Sequence, residues 1–161
     1  MTTTEYNKCV DAFSDGVYRF ILKNIKDDDK AKDIVQDSFI KMWDKVGDIT
    51  YEKARSYLFT TAYHTMIDMI RREKKQTTLE ESFTRNLSVS HQYSDLKEVL
   101  DVAVEKLPDI QKSVIMLRDY EGYSYDEIGE ITGLNESQVK VYIYRARLFL
   151  KNYIGDLETV I

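Results

Sequence analysis

Ser124-Tyr125-Asp126-Glu127-Ile128-Gly129-Glu130-Ile131-Thr132-Gly133-Leu134-Asn135-Glu136-Ser137-Gln138-Val139 is the stretch whose reading decides the fold. Ser124 and Glu127 stand three residues apart, the spacing at which a hydroxyl and a carboxylate each close on the other's backbone N–H at a helix start. Ile128 and Ile131 then face inward, and Gly129 between them lets the next helix pack closely. Gly133 ends the short helix where left-handed backbone is needed, and Leu134 plugs the corner. Asn135 and Gln138 form a second capping pair. They open a longer helix, expected from Glu136 to about Tyr153, with Val139, Tyr142, Ile143, Ala146 and Leu150 as its buried stripe. A short helix, a tight glycine turn and a longer helix make a helix-turn-helix.

In such a unit the second helix enters the major groove and brings its N-terminal residues to base edges. Here the outward residues are Ser137, Lys140, Val141, Tyr144 and Arg145, and Arg147 and Lys151 continue the basic side. Between Asn135 and Lys151, four basic residues (Lys140, Arg145, Arg147, Lys151) face one acid, Glu136. The chain as a whole carries a net charge of −5. That sum averages over an uneven distribution, and the recognition helix has the positive footprint that phosphates require.

Upstream of this unit the sequence reads as helices throughout. One proline and six glycines punctuate 161 residues, which favours long helices and short connections. Tyr6, Val10, Phe13, Val17, Phe20 and Ile21 recur at helical spacing and predict a first helix over about 4–25. A second is expected to start at Asp28 or Asp29 as its cap, to carry Ala31, Ile34, Val35, Phe39, Met42, Trp43 and Val46 on one side, and to stop at Gly47. On this reading Trp43 and the lone cysteine, Cys9, are packing residues. After a loop over 48–51, a third helix over about 52–72 turns Leu58, Ala62, Met66, Met69 and Ile70 inward and ends in Arg71-Arg72-Glu73-Lys74-Lys75. From Gln76 to Ser94 the periodicity is lost among Thr77, Thr78, Ser82, Thr84, Asn86, Ser88 and Ser90. That stretch predicts a mobile linker with few contacts crossing it, and Leu79, Phe83 and Leu87 could close at most a transient turn. Beyond it, Leu96, Val99, Leu100 and Ala103 mark a helix ending near Lys106. Pro108 suits the first turn of the next, which runs to about Tyr120. The expected fold class is therefore all-α: two small helical domains, 1–75 and 95–161, joined by a flexible linker, 76–94.

Composition excludes several function classes. Hydrophobic residues make up 43% and charged residues 32%, a foldable, soluble mixture. No apolar run approaches the roughly 20 residues of a membrane span, and Met1-Thr2-Thr3-Thr4-Glu5-Tyr6 has no signal-peptide pattern, so the expected location is the cytoplasm. One cysteine gives neither a disulfide framework nor a cysteine-rich metal site. The two histidines, His64 and His91, have no metal-ligand cluster, phosphate-binding glycine loop or nucleophile–base pair around them. No enzyme activity, cofactor, metal or small-molecule substrate is expected.

The motifs taken together resemble a known family. Leu107-Pro108-Asp109, the run Leu117-Arg118-Asp119-Tyr120-Glu121-Gly122-Tyr123-Ser124-Tyr125-Asp126-Glu127-Ile128, then Val139-Lys140 and Tyr144-Arg145-Ala146-Arg147 resemble region 4 of extracytoplasmic-function sigma factors of the sigma-70 family. Asp33-Ile34-Val35-Gln36-Asp37-Ser38-Phe39-Ile40-Lys41-Met42-Trp43 resembles region 2.2. Ala54-Arg55-Ser56-Tyr57-Leu58-Phe59 through Ile67-Asp68 and Ile70-Arg71-Arg72 resembles regions 2.3 and 2.4. Two motif sets in the right order with the right gap are far more specific than either alone.

The resemblance implies a sigma factor that binds core RNA polymerase and directs promoter-specific initiation. Asp33, Gln36, Asp37, Ile40 and Lys41 would dock on the clamp helices of the β′ subunit, as a carboxylate-bearing face suits a basic partner. The second domain would meet the β flap. The loop over 46–54 and the helix after it would read the melted −10 element. Tyr57, Phe59 and Tyr63 are candidates to stack on unpaired bases, with a place in the core as the alternative for any one of them. Thr60, His64 and Asp68 would line the pocket for a flipped base, and Arg71, Arg72, Lys74 and Lys75 would hold phosphates. Many relatives have Asn where this chain has His64. At the −35 element the contacts would come from Ser137, Gln138, Lys140, Val141, Tyr144, Arg145, Arg147 and Lys151. Many relatives have Ser-Arg where this chain has Val141-Tyr142, so Val141 is limited to a thymine methyl or to shape. The implied partners are core polymerase, promoter DNA and an anti-sigma factor. The alternative is a stand-alone helix-turn-helix transcriptional regulator, whose first half would sense a signal or dimerise.

Overall fold

The computed structural model of the chain describes the backbone of residues 1–76 and 96–160, with side chains described as far as Gly155 in the final helix. Leu79, Phe83, Leu87 and His91, and the linker expected around them, lie outside the described residues. The described residues are helical apart from turns and short connections.

The first half is three helices around one core. α1 (Thr3–Ile25) starts with a capping box, Thr2 and Glu5 each bonding the other's backbone N–H at 3.1 and 2.9 Å. α2 (Asp28–Asp44) is capped by Asp27, whose Oδ1 accepts from the Lys30 N–H at 3.1 Å. The cap is thus one residue before the expected Asp28 or Asp29, and those two place negative charge in the first turn, where the helix dipole favours it. α2 ends at Asp44, ahead of Gly47. Turns over 45–48, not a left-handed glycine, complete the exit, since Gly47 has no positive φ. A single 3-10 turn, Tyr51–Lys53, leads into α3 (Ala54–Gln76). Phe20, Ile21, Met42, Leu58, Phe59 and Met66 are fully buried where the three helices meet. Each such side chain contributes about 1.5–3 kcal/mol by leaving water. Cys9 is fully buried among them, and burial raises its thiol pKa, as expected of a packing cysteine.

Among the described residues the second half holds four helices: α4 (Leu96–Glu105), α5 (Asp109–Ile115), α6 (Tyr125–Thr132) and α7 (Glu136–Val160). Pro108 is the N-cap of α5, in extended backbone, one position ahead of the first turn where it was expected. α5 continues to Tyr120 through a π-helical turn, Met116–Tyr120, that the sequence pattern did not announce. Val114, Ile115, Met116, Leu117, Ile128, Ile131, Val139, Ile143 and Ala146 form this half's core.

The two halves pack on each other, contrary to the expectation of few contacts between them. α3 lies against α6, and α1 against α5. The Phe59 ring meets the Tyr123 ring edge-on, centroids 5.3 Å apart, so the two cores are continuous. A hydrophilic linker sequence says nothing about what the domains bury against each other, and here Tyr123, in the connection between α5 and α6, is buried against Phe59 of the first half.

Candidate nucleic-acid interface

The helix-turn-helix is assembled by backbone chemistry that the sequence specifies. Ser124 Oγ accepts from the Glu127 N–H at 3.2 Å, and Glu127 Oε1 from the Ser124 N–H at 3.0 Å. Gly133 takes φ 80° and donates its N–H to the Gly129 carbonyl at 2.8 Å, closing α6 in the left-handed conformation. A Cβ on Gly129 would stand 2.8 Å from the Leu134 carbonyl oxygen, so the close approach that needs this glycine is to the turn backbone. Asn135 Oδ1 accepts from the Gln138 N–H at 2.8 Å, and Gln138 Oε1 from the Asn135 N–H at 3.0 Å.

These caps set the rotation of α7. Val139, Ile143 and Ala146 are buried, with Tyr142 and Leu150 half-buried beside them. Ser137, Lys140, Val141, Tyr144, Arg145 and Lys151 are all exposed, Tyr144 at 67% and Val141 at 45%. The other two expected contacts are already engaged. Gln138 uses its carbonyl on the cap, and Arg147 donates to Asp119 Oδ1 in the π turn at 2.7 Å, a bond that raises its pKa. Lys140 pairs with Glu136 at 3.1 Å, both ends half-exposed, a pair worth about 0.3–0.5 kcal/mol and readily released. Among the described residues Arg145 has no ion-pair partner.

On α3 the structure sorts the candidates by face. Tyr57, Thr60, His64, Asp68 and Arg71 recur every three or four residues and form one row about 21 Å long. His64, Asp68, Arg71, Arg72, Lys74 and Lys75 are exposed, Tyr57 and Thr60 half-buried. Tyr63 lies off this row and is 5% exposed, with burial raising its phenol pKa; Phe59 is 1% exposed. Both were candidates to stack on bases, and both are core residues in this conformation. Tyr63 meets the His64 ring edge-on at 5.5 Å. Thr60 and Tyr57 line a cavity of about 440 Å³ together with Asp48, Ile49, Thr50, Glu52, Lys53, Ser56 and Glu130. Loop, 3-10 turn and helix start thus surround one recess, and Glu130 of α6 lines it from the other half.

On α2, Asp33, Gln36, Ile40 and Lys41 are exposed and Asp37 is half-buried, its carboxylate 2.9 Å from Lys41 Nζ. Trp43, expected in the core, is 47% exposed and meets Tyr6 edge-on at 5.0 Å. With Ile40, 57% exposed, it adds an apolar pair to an acidic face. The signal is present in the sequence: Trp43 follows Ile40 by three residues, the spacing of one helix face. Apolar character alone assigns it to the wrong side.

Comparison with known proteins gives the same division. The family model "Sigma-70 region 2" matches residues 9–76, and "Sigma-70, region 4" matches 97–150. The chain is 30% identical over 145 residues to the ECF RNA polymerase sigma factor SigM of Bacillus subtilis, covering 86% of this chain and 88% of that protein. It is 33% identical over 143 residues to the sigma factor SigV of the same organism, covering 86% and 84%. The sigma factor RpoE of Bartonella quintana, solved in complex with the anti-sigma factor NepR, superimposes with a TM-score of 0.76 at 21% identity, covering 95% of this chain and 98% of that one. No described helix is long and apolar enough to cross a membrane. The chain therefore belongs to the extracytoplasmic-function group of sigma-70 family RNA polymerase sigma factors, which direct promoter-specific transcription initiation.

Proposed function

We propose a division of labour among three exposed faces of this sigma factor. The α2 face, Asp33, Gln36, Asp37, Ile40 and Lys41 with Trp43 added, docks on the β′ clamp helices of core polymerase, and the second half meets the β flap. The α3 row, Tyr57, Thr60, His64 and Asp68, takes the melted −10 strand, with Arg71 and Arg72 on its phosphates. The α7 face, chiefly Lys140, Val141, Tyr144 and Arg145, reads the −35 element. Residues 1–75 and 95–161 act as separate modules on the two elements, joined by 76–94. The factor is not itself an enzyme, works in the cytoplasm beside polymerase, and needs no cofactor or small-molecule substrate. An anti-sigma protein is a further partner, by analogy with RpoE of Bartonella quintana and its NepR.

The observation that carries this reading is the exposed, basic outward face of α7 in a chain of net charge −5. Such a chain has weak affinity for DNA alone. Two elements held at once by a polymerase-bound factor raise the effective concentration without new contacts. Run-off transcription with core polymerase on genomic fragments tests it: specific transcripts are expected only when both factor and core are present. A gel shift with the purified chain distinguishes the rival. A stand-alone regulator shifts its operator unaided, and such a shift without polymerase would overturn the assignment.

A further inference from the structure

The recess at the start of α3 has a chemistry that sets it apart from the open row beyond it. Asp48 and Thr50 line it from the connection after α2, Glu52 and Lys53 from the 3-10 turn, and Ser56 and Thr60 from α3. His64 and Asp68, further along α3, are exposed outside it. Asp48, Glu52 and Lys53 are exposed too, and among the described residues none of the three has an ion-pair partner. On α2, by contrast, Asp28 pairs with Lys32 and Asp37 with Lys41, at 3.0 and 2.9 Å. Glu130 comes to the recess from the other half, so Asp48 and Glu52 are the carboxylates of the first half's own wall.

Two unpaired carboxylates are out of place in a recess for a polyanion, because each repels the strand's phosphates. They fit when something on the strand donates hydrogen bonds to them. An ionised carboxylate accepts and never donates. Phosphate and sugar-ring oxygens of DNA also only accept, so the donor has to be a base. In a melted strand the Watson–Crick edge is free, and that is the edge an enclosing pocket reads. Adenine, cytosine and guanine each carry an exocyclic amine there. Thymine carries none: its one donor, the ring N–H, lies between two carbonyl oxygens that a carboxylate repels. Lys53 Nζ and the hydroxyls of Thr50, Ser56 and Thr60 supply donors for the rest of a base edge.

We propose that the recess takes an unpaired base bearing an exocyclic amine and rejects thymine, with Asp48 and Glu52 as the discriminating acceptors. The inference rests on the −10 assignment of the recess and adds to it the class of base and the two residues that choose it. His64 lies outside the recess, so any base it reads is a different one. The charge of the two acceptors is what excludes thymine. An amide of the same shape removes that exclusion, because its NH2 donates to a thymine carbonyl while its own carbonyl still accepts from an amine. Asp48→Asn and Glu52→Gln are isosteric changes at exposed positions, so they leave the packing of the fold alone.

The test is transcription by holoenzyme, the full-length factor with core polymerase, from a promoter library randomised over the −10 element behind a fixed −35 element. Wild type should show one −10 position at which thymine is depleted roughly tenfold against a preferred amine-bearing base. Asp48→Asn, Glu52→Gln or both should largely abolish that depletion and leave the other positions unchanged. Circular dichroism checks that each variant is folded. A premelted promoter then carries an amine-free analogue at that position: purine for adenine, pyrimidinone for cytosine or hypoxanthine for guanine. Wild-type holoenzyme should bind it about tenfold more weakly than the parent base, and the responsive variant should bind the two alike. A wild type that disfavours thymine at no position overturns the inference and leaves the −10 assignment standing. So does a thymine depletion that persists unchanged in both folded variants, or an amine-free base bound as tightly as its parent. Transcription indifferent to the whole −10 sequence would instead remove the −10 assignment, and the inference with it.

Discussion

α3 and α7 are both long helices presenting a row of outward residues, and they differ in what stands above that row. On α7 the buried stripe Val139–Ile143–Ala146 uses one side of the helix and leaves Lys140, Val141, Tyr144 and Arg145 in the open. On α3 the row is divided. His64, Asp68 and Arg71 are exposed, but Tyr57 and Thr60, toward the helix start, lie half-buried in the recess that Glu130 also lines. A helix fixed by its own caps can expose its reading face in isolation. A helix whose neighbouring loop is completed by another domain depends on where that domain sits. The outward row of α7 is thus open along its length, while the row of α3 is partly covered toward the helix start.

The largest expected effect breaks the α7 side of this comparison. Ala in place of Gly129 would ordinarily gain about 1 kcal/mol in a helix. Here its Cβ meets the Leu134 carbonyl oxygen at 2.8 Å, a backbone atom held in the turn. Crowding should win, with Gly129→Ala losing about 2–3 kcal/mol in urea unfolding and losing −35-dependent transcription. A stabilised variant would show that the turn is looser than its geometry.

Next comes the reading face itself. Arg145 is exposed and carries a planar fork that can hold guanine in two bonds, which Lys cannot imitate. Arg145→Ala should cut −35-dependent transcription roughly tenfold and relax preference at one or two −35 positions, measured in holoenzyme on a promoter library with an intact −10 element. Equal weakening of every −35 variant would make Arg145 a phosphate clamp.

A smaller effect is expected on α3. His64 is exposed, and its ring meets that of Tyr63 edge-on. His64→Asn should change preference at a single −10 base by a few-fold and leave the −35 preference alone. Identical −10 logos for the two proteins would remove His64 from base reading. Tyr63→Ala makes a poor companion experiment, because a side chain 5% exposed leaves a cavity when removed and the loss would report stability.

The contrast between these helices also marks what the sequence made legible. Ser124–Glu127, Gly133 and Asn135–Gln138 are local signals with local causes, and each makes the bond its spacing implies. The Val139–Ile143 stripe can therefore be turned the right way before any tertiary contact is known. Trp43 and Tyr63 go the other way. Both are large aromatics on half-polar helices, and hydrophobicity alone cannot say which of two adjacent faces a helix buries when the neighbouring helix decides. Asp27 differs by one residue from the expected cap because three aspartates in a row offer the same chemistry, and only the backbone chooses among them. The seam between the two halves is invisible in the sequence for a related reason. Glu121 and Tyr123 sit in a turn sequence with no periodicity, and their partners Arg19, Arg55 and Phe59 lie far away in the chain. The two family matches cover the halves separately and carry no information about the space between them.

The smallest expected effect sharpens the comparison within α7. Arg145 and Arg147 are two residues apart, alike in charge, and the sequence pattern puts both on one basic side. Two residues on a helix are about 200° apart, so they cannot share a face. The structure separates them. Arg145 points outward without an ion-pair partner among the described residues, whereas Arg147 reaches back to Asp119 at 2.7 Å and ties α7 to the π turn. That pair is half-exposed at both ends, 49% and 40%, so water screens it and its net worth is at most about 1 kcal/mol. Arg147→Ala should therefore lower stability by less than about 1 kcal/mol, narrow toward zero in high salt, and leave the −35 base preferences unchanged. The companion Asp119→Ala should give the same small loss, and the double variant no more than either alone, because both remove one interaction. A −35 logo that shifts in Arg147→Ala but not in Asp119→Ala would mean that Arg147 leaves its partner to meet DNA, and the reading face of α7 would then extend around the helix beyond Lys140, Val141, Tyr144 and Arg145.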